Sequence, residues 1–142
     1  MLFIFRFEGK KYAYDSTSGA IMQPSALEFK MMGAIQPPLT KNCPTSLRYE
    51  LAKYDSMDVE ETYGGIYALF EAGVLYIPED GTIRVCTDGE YAFGSTALIA
   101  TALTEAFAKV DGAISFKALG QNAESAEKVA AEIAARLGKQ LN

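Results

Sequence analysis

The first 23 residues of the chain form three short apolar runs separated by turn-forming residues. The runs cover residues 2–8, 11–15 and 20–23, with Gly9-Lys10 and the cluster 16–19 between them. Runs of this length that are rich in aromatic and branched residues are typical of strands, and clusters of glycine and serine are typical of tight turns. The chain is therefore predicted to begin with a small antiparallel meander.

Three helices are predicted after the meander. The first spans residues 25–32 and the second residues 47–54, because their apolar residues recur at helical spacing. The third runs over residues 59–72, and Asp58 is expected to cap it. This helix contains Gly64-Gly65, which costs ~1 kcal/mol per glycine relative to alanine. We expect either another group close to that backbone or a kink.

The remainder of the chain predicts a hairpin that leads into a second unit. Residues 75–77 and 82–86 are the expected hairpin strands. A helix capped by Ser95, a strand over residues 113–119 and a last helix capped by Asn122 complete a βαβα unit.

The predicted fold class is therefore α+β, with a three-stranded antiparallel sheet and three helices followed by the smaller βαβα unit. The turn-forming residues 78–81 mark the expected boundary. The predicted domains are residues 1–78 and residues 79–142.

Composition removes several classes of function. The chain contains no histidine, which excludes Ser-His-Asp and Cys-His nucleophile systems and His-ligated zinc. We expect a protein that is not an enzyme and that holds no cofactor and no metal. Its net charge of −5 provides no attraction for a phosphate backbone, so nucleic-acid binding is disfavoured.

The two cysteines and the lengths of the apolar stretches indicate in which cellular compartment the protein is expected. Cys43 and Cys86 form no C-x-x-C pair, and two such thiols fit a reducing cytoplasm. Cys43 precedes a proline in a loop and is expected to be exposed, but it has no neighbouring base to activate it. The longest weakly polar stretch, residues 93–103, falls short of the ~20 residues that span a membrane. A cytoplasmic protein without a membrane segment is expected.

One glycine-containing loop suggests an anion site. Residues 89–96 have the spacing of a phosphate loop, follow a predicted strand and open a helix. The candidate anion-binding residues are Gly94, Ser95 and Thr96, because free N–H groups at a helix N-terminus attract anions. Ser95 occupies the position of the motif's lysine, and Glu90 repels phosphate. A loop with a serine cap is the alternative, and we favour it.

The order of motifs in the N-terminal half is distinctive. Residues 14–21 contain an aspartate-x-x-serine-glycine signature, and the predicted helix at 25–32 and the stretches 54–61 and 68–75 follow in order. Over residues 2–77 this order resembles the peptide-recognition (PqqD-like) domains of ribosomal-peptide maturation systems, which are similar to the pyrroloquinoline-quinone chaperone. The resemblance implies a winged-helix-like fold with a three-stranded sheet on three helices.

The resemblance also implies a ligand. In such domains the leader segment of a precursor peptide adds as a strand beside the third strand, against the third helix. The peptide-binding residues that carry over are Ala20, Ile21, Met22, Gln23, Tyr63 and Tyr67. An edge strand offers unpaired N–H and C=O groups for such pairing. A non-catalytic protein that binds a precursor (leader) peptide and presents it to a maturation enzyme is therefore expected. Many relatives continue into a radical enzyme with clustered cysteines, but this chain has only Cys86 there.

The C-terminal half is weakly similar to Alba-like βαβα domains. The similarity covers residues 110–120 and the following helix, but the basic residues with which such domains bind nucleic acid are replaced by Gln121, Asn122, Ala123 and Glu124. The alternative function is an interaction or oligomerisation module of this type that contacts nucleic acid or a phosphate ligand. The alanine-rich helices suit a symmetric homodimer and a monomer about equally.

Overall fold

The computed structural model describes residues 1–142 and has a mixed α+β fold. Its five strands are β1 (Leu2–Phe7), β2 (Lys10–Asp15), β3 (Ile21–Met22), β4 (Thr82–Cys86) and β5 (Ser115–Leu119). Its five helices are α1 (Ala26–Ala34), α2 (Thr45–Glu50), α3 (Ser56–Glu71), α4 (Thr96–Phe107) and α5 (Ala123–Arg136). The predicted fold class is confirmed. None of these helices combines the length and the apolar character that crossing a membrane requires.

The first three strands form the predicted antiparallel meander in the order β1-β2-β3. A two-residue turn at Glu8-Gly9 joins β1 to β2, and both residues have positive φ angles, 50° and 77°. Such a turn matches the right-handed twist of paired strands and places Phe7 directly opposite Lys10. β3 is shorter than predicted and pairs with β2 only through Ile21 and Met22.

Two of the three helices that follow, α1 and α3, begin at a residue whose side chain caps them. The Ser25 hydroxyl accepts the Glu28 N–H and the Glu28 carboxylate accepts the Ser25 N–H, which is a capping box at the start of α1. The predicted cap of α3 was wrong by one turn. Asp55, not Asp58, accepts the N–H of Met57 at 2.8 Å, so the helix begins three residues earlier than expected.

The glycine pair in α3 does not mark the close approach of another group, which was one of its two predicted explanations. The helix runs unbroken from Ser56 to Glu71. A Cβ atom at Gly64 or Gly65 would meet no neighbouring atom within 4 Å. No group approaches this backbone, and the helix accommodates both glycines on its exposed side.

The expected hairpin between residues 75–77 and 82–86 is wrong. β4 pairs with β5 in parallel, and residues 75–77 are not a strand. Their backbone is engaged elsewhere, because the Leu75 N–H bonds to the Leu69 carbonyl and the Ile77 N–H to the Asp15 carboxylate. Tyr76 has a positive φ of 57°, which turns the chain and is incompatible with an extended run.

The βαβα unit itself is confirmed. Ser95 caps α4, because its hydroxyl accepts the Leu98 N–H at 3.1 Å. Asn122 occupies the N-cap position of α5, but its side chain makes no capping hydrogen bond. Beyond α5, Leu141 forms an isolated bridge to Ile114 beside the start of β5.

The N-terminal sheet lies between two cores. One face, which includes Phe3, Phe5 and Tyr14, belongs to the core that contains the buried residues of α4 and α5. The other face contributes Ala13, and the partly buried Leu2, Ile4 and Met22, to the core formed with α1, α2 and α3. The boundary predicted between residues 78 and 79 stays a prediction, and the sheet packs against elements from both sides of it.

The turn between β2 and β3 connects the two cores. The Tyr14 hydroxyl donates to the Arg84 carbonyl at 2.5 Å, and the Arg84 N–H donates to the Ser16 carbonyl at 2.7 Å. The fully buried Asp15 carboxylate accepts the N–H groups of Thr17 and Ser18. The two bonds to Arg84 join β2 and the turn to β4 and fix the orientation of the sheet relative to the βαβα unit, whereas the two bonds to Asp15 stabilise the turn itself.

Candidate functional site

The residues predicted on the third strand are largely covered. Ala20 and Ile21 are buried, Met22 is half-buried and Gln23 is exposed. The Ile21 N–H, which points away from β2, donates to the Tyr91 carbonyl at 2.7 Å. The loop before α4 therefore already engages the edge of β3 at its centre.

The two tyrosines predicted to face the peptide are on α3 but differ in their surroundings. Tyr63 is 2% exposed, and its hydroxyl donates to the Thr40 carbonyl at 2.5 Å. Tyr67 is half-buried and donates to the Glu71 carboxylate at 2.8 Å, and this hydrogen bond raises the pKa of the Tyr67 phenol. Neither hydroxyl bonds to β3, and only Tyr67 offers its ring to an incoming ligand.

The opposite edge of the sheet is open. Because Phe7 and Lys10 flank a two-residue turn, they form a hydrogen-bonded pair, and the pattern alternates along the ladder. The N–H and C=O groups of Leu2, Ile4 and Arg6 therefore point away from β2. β1 has no second neighbouring strand, and no backbone bond outside its ladder involves these three residues.

An apolar groove of about 710 Å³ lies beside this open edge. Leu2 and Ile4 form its strand side, and eight of its thirteen lining residues are hydrophobic. Helix α1 approaches closely because residue 33 is glycine, and a Cβ there would lie 3.0 Å from the Ile4 Cδ1 atom. On the side of the groove opposite β1, the Tyr76 hydroxyl donates to the Met32 carbonyl at 2.9 Å and joins these two lining residues.

Three basic side chains of this half of the protein lie over aromatic rings. The Arg6 guanidinium lies 5.8 Å from the centre of the Phe29 ring, as in a cation–π contact. Lys30 and Lys53 each place their amino group 5.5 Å from the Tyr54 ring centre. The pKa of Lys30 lies below its ordinary value, chiefly because of a hydrogen bond with Lys53. We call Arg6, Lys30 and Lys53 the basic cluster.

Two of the three predicted anion-binding residues, Gly94 and Thr96, line part of a polar pocket of about 250 Å³. The pocket lies where β4 ends and where α4 and α5 begin. The Ser95 hydroxyl is occupied as a helix cap. The Thr87 hydroxyl at its base donates to the Leu119 carbonyl and accepts the Asn122 N–H. The hydroxyl groups of Ser95 and Thr87 are thus both engaged in hydrogen bonds within the protein.

The expectation for Cys43 was wrong. The residue is 5% exposed and belongs to the core formed with the first three helices. Burial raises the pKa of the Cys43 thiol, and burial is also the main cause of the raised pKa of Cys86. Both groups are therefore held as thiols at neutral pH, which makes them poor nucleophiles.

No protein-family model matches the chain, and no curated protein matches it.

Proposed function

We propose that this protein is a peptide-binding protein that takes an extended segment as an additional strand beside β1. The observation that supports this most directly is the open edge of β1 next to an apolar groove. The resemblance of residues 2–77 to peptide-recognition domains favours the leader segment of a ribosomally made precursor as the ligand. The protein would then present that precursor to a maturation enzyme.

Strand addition uses both features of the site. Backbone pairing to the outward groups of Ile4 and Arg6 supplies affinity that does not depend on the peptide's sequence. Side chains on alternate positions of the added strand point to the same face as Leu2 and Ile4, where the groove takes them. Each buried aliphatic side chain contributes about 1.5–3 kcal/mol before the cost of association. The groove therefore provides selection for apolar residues at alternate positions.

The edge of β3 is the second docking position for the same ligand. A peptide there would have to displace the Tyr91 carbonyl from the Ile21 N–H, and it would meet a strand of only two residues. The edge of β1 requires no such displacement. For this reason we place the peptide at β1.

Selection from a random peptide display library tests the proposal. The protein is the target, and Ile4→Pro is the comparison, because proline removes the outward N–H of Ile4 without removing a donor to β2. Ile4→Ala is the matched control, since it loses the same side chain but keeps the N–H. Circular dichroism shows whether each variant is folded.

We expect enriched peptides that bind the wild-type protein, bind Ile4→Ala more weakly and lose most binding to folded Ile4→Pro. Peptides that bind all three equally would contradict docking at β1. If Gln23→Pro abolishes binding instead, the peptide docks at β3. A selection that enriches no peptide for the wild-type protein would overturn peptide binding itself.

A further inference from the structure

The basic cluster has no acidic partner within the protein. The ion pairs of the chain join Arg48 to Glu60, Arg84 to Asp80 and Lys128 to Glu124, together with the terminal amine to Glu79. Arg6, Lys30 and Lys53 take part in none of them. Arg6 therefore has a positive charge without a carboxylate partner, on the face of β1 that also carries Leu2 and Ile4, in a chain whose net charge is −5.

The acidic residues closest in sequence form no ion pair with this cluster. Glu28 and Asp55 use their carboxylates to accept backbone N–H groups at the starts of α1 and α3. Glu8 and Glu50 are exposed and form no ion pair. The Lys30 and Lys53 amino groups each lie 5.5 Å from the centre of the Tyr54 ring, so an anion beside this ring would meet two positive charges.

The position of Arg6 connects the cluster to the docking edge. Side chains alternate along a strand, so Arg6 lies on the same face of β1 as Leu2 and Ile4. Phe29, against which the Arg6 guanidinium packs, is the neighbour of Lys30 on α1. A residue opposite Arg6 on an added strand would have its Cβ about 4.5–5.5 Å from that of Arg6.

We propose that the peptide bound at β1 carries an acidic side chain opposite Arg6 and apolar side chains at the two following alternate positions, opposite Ile4 and Leu2. This inference rests on the proposed function and specifies its ligand. An antiparallel peptide would read acidic-x-apolar-x-apolar, and a parallel peptide would read the reverse. Lys30 directly follows Phe29, the residue that Arg6 contacts, and would favour a further acidic residue beside the one opposite Arg6.

Synthetic peptides provide the test. One peptide has glutamate and two valines at alternate positions with serines between them. A second has glutamine in place of the glutamate, a third has lysine there, and a fourth has the first sequence in reverse order. Affinities for the full chain are measured by fluorescence anisotropy at low and at high salt. The variants are Arg6→Glu and, as a matched charge reversal on the exposed surface of α5, Arg136→Glu.

For the wild-type protein we expect the glutamate peptide, in one of its two directions, to bind about three- to fivefold tighter than the glutamine peptide at low salt. This advantage should shrink at high salt, because exposed charges are screened. Arg6→Glu should reverse the order so that the lysine peptide binds best, whereas Arg136→Glu should leave it unchanged.

The outcomes separate this inference from the proposed function. Equal binding of the glutamate, glutamine and lysine peptides would overturn the acidic requirement and leave strand addition standing. An unchanged order in Arg6→Glu would place any acidic preference elsewhere on the surface and overturn the assignment to β1. Failure of all four peptides to bind, together with a display selection that enriches nothing, would overturn both.

Discussion

Replacing Tyr14 by phenylalanine probes the connection between the N-terminal sheet and the βαβα unit. Tyr14 is fully buried, and its hydroxyl donates to the Arg84 carbonyl at 2.5 Å. The Arg84 N–H faces the turn at Ser16, so the carbonyl of the same residue also faces away from β5. The tyrosine hydroxyl is therefore the donor that satisfies this carbonyl.

The expected loss of stability follows from that geometry. Phenylalanine keeps the ring, including its stacking on Phe3 at 6.2 Å between centroids, and removes only the hydroxyl. A buried carbonyl without its donor costs about 1–3 kcal/mol. In a chain of this size that corresponds to a fall in Tm of roughly 3–10 °C.

Urea denaturation followed by circular dichroism measures the change. We expect Tyr14→Phe to lower the midpoint with the slope unchanged, since the surface exposed on unfolding stays the same. Tyr49→Phe is the matched control, because Tyr49 is 78% exposed and its hydroxyl makes no buried contact. A Tyr14→Phe variant within about 0.5 kcal/mol of the wild type would refute this account of the connection.

Three further predictions concern stability. Gly64→Ala should raise the free energy of unfolding by about 1 kcal/mol in urea denaturation, because the helix gains propensity and the new methyl group meets no neighbour. Gly120→Ala should lower it by roughly 2 kcal/mol or more, because φ is +117° and a Cβ would collide with the Asp88 carboxylate. Burial raises the pKa of Tyr14 and of Tyr76 in the folded state. The contribution of these two tyrosines to stability should therefore be constant below pH ~10, where unfolded tyrosine is neutral, and stability should fall at higher pH by up to about 1.4 kcal/mol per pH unit for each tyrosine. A urea midpoint that does not change above that pH would contradict the last prediction.

Local patterns predicted most of the elements, because those elements depend on neighbouring residues. The meander follows from alternation and turn residues, and the start of α4 follows from the ability of Ser95 to cap a helix. The prediction of a hairpin strand at residues 75–77 was wrong because this apolar run packs into the core and does not pair with another strand. Its positive φ at Tyr76 depends on long-range contacts that the sequence does not display.

The candidate site was harder to predict from the sequence than the helices and strands. Alternation identifies a strand, but it does not show which edge of the sheet remains open. The Tyr91 carbonyl that engages Ile21 comes from a loop 70 residues away along the chain. The sequence predicts a meander, and every meander has two edges, but it does not indicate that the edge of β1 is the open one. The groove beside that edge is formed with helices that are distant from β1 in sequence.

Amide hydrogen exchange tests the central claim most directly. It is measured by NMR on the protein alone and with the tightest peptide from the display selection. In the free protein the amides of Ile4 and Arg6 should exchange rapidly, whereas that of Ile21 should be protected by its bond to Tyr91. With peptide bound, Ile4 and Arg6 should become protected and Ile21 should not change. Protection that appears at Gln23 while Ile4 and Arg6 stay unprotected would contradict docking at β1.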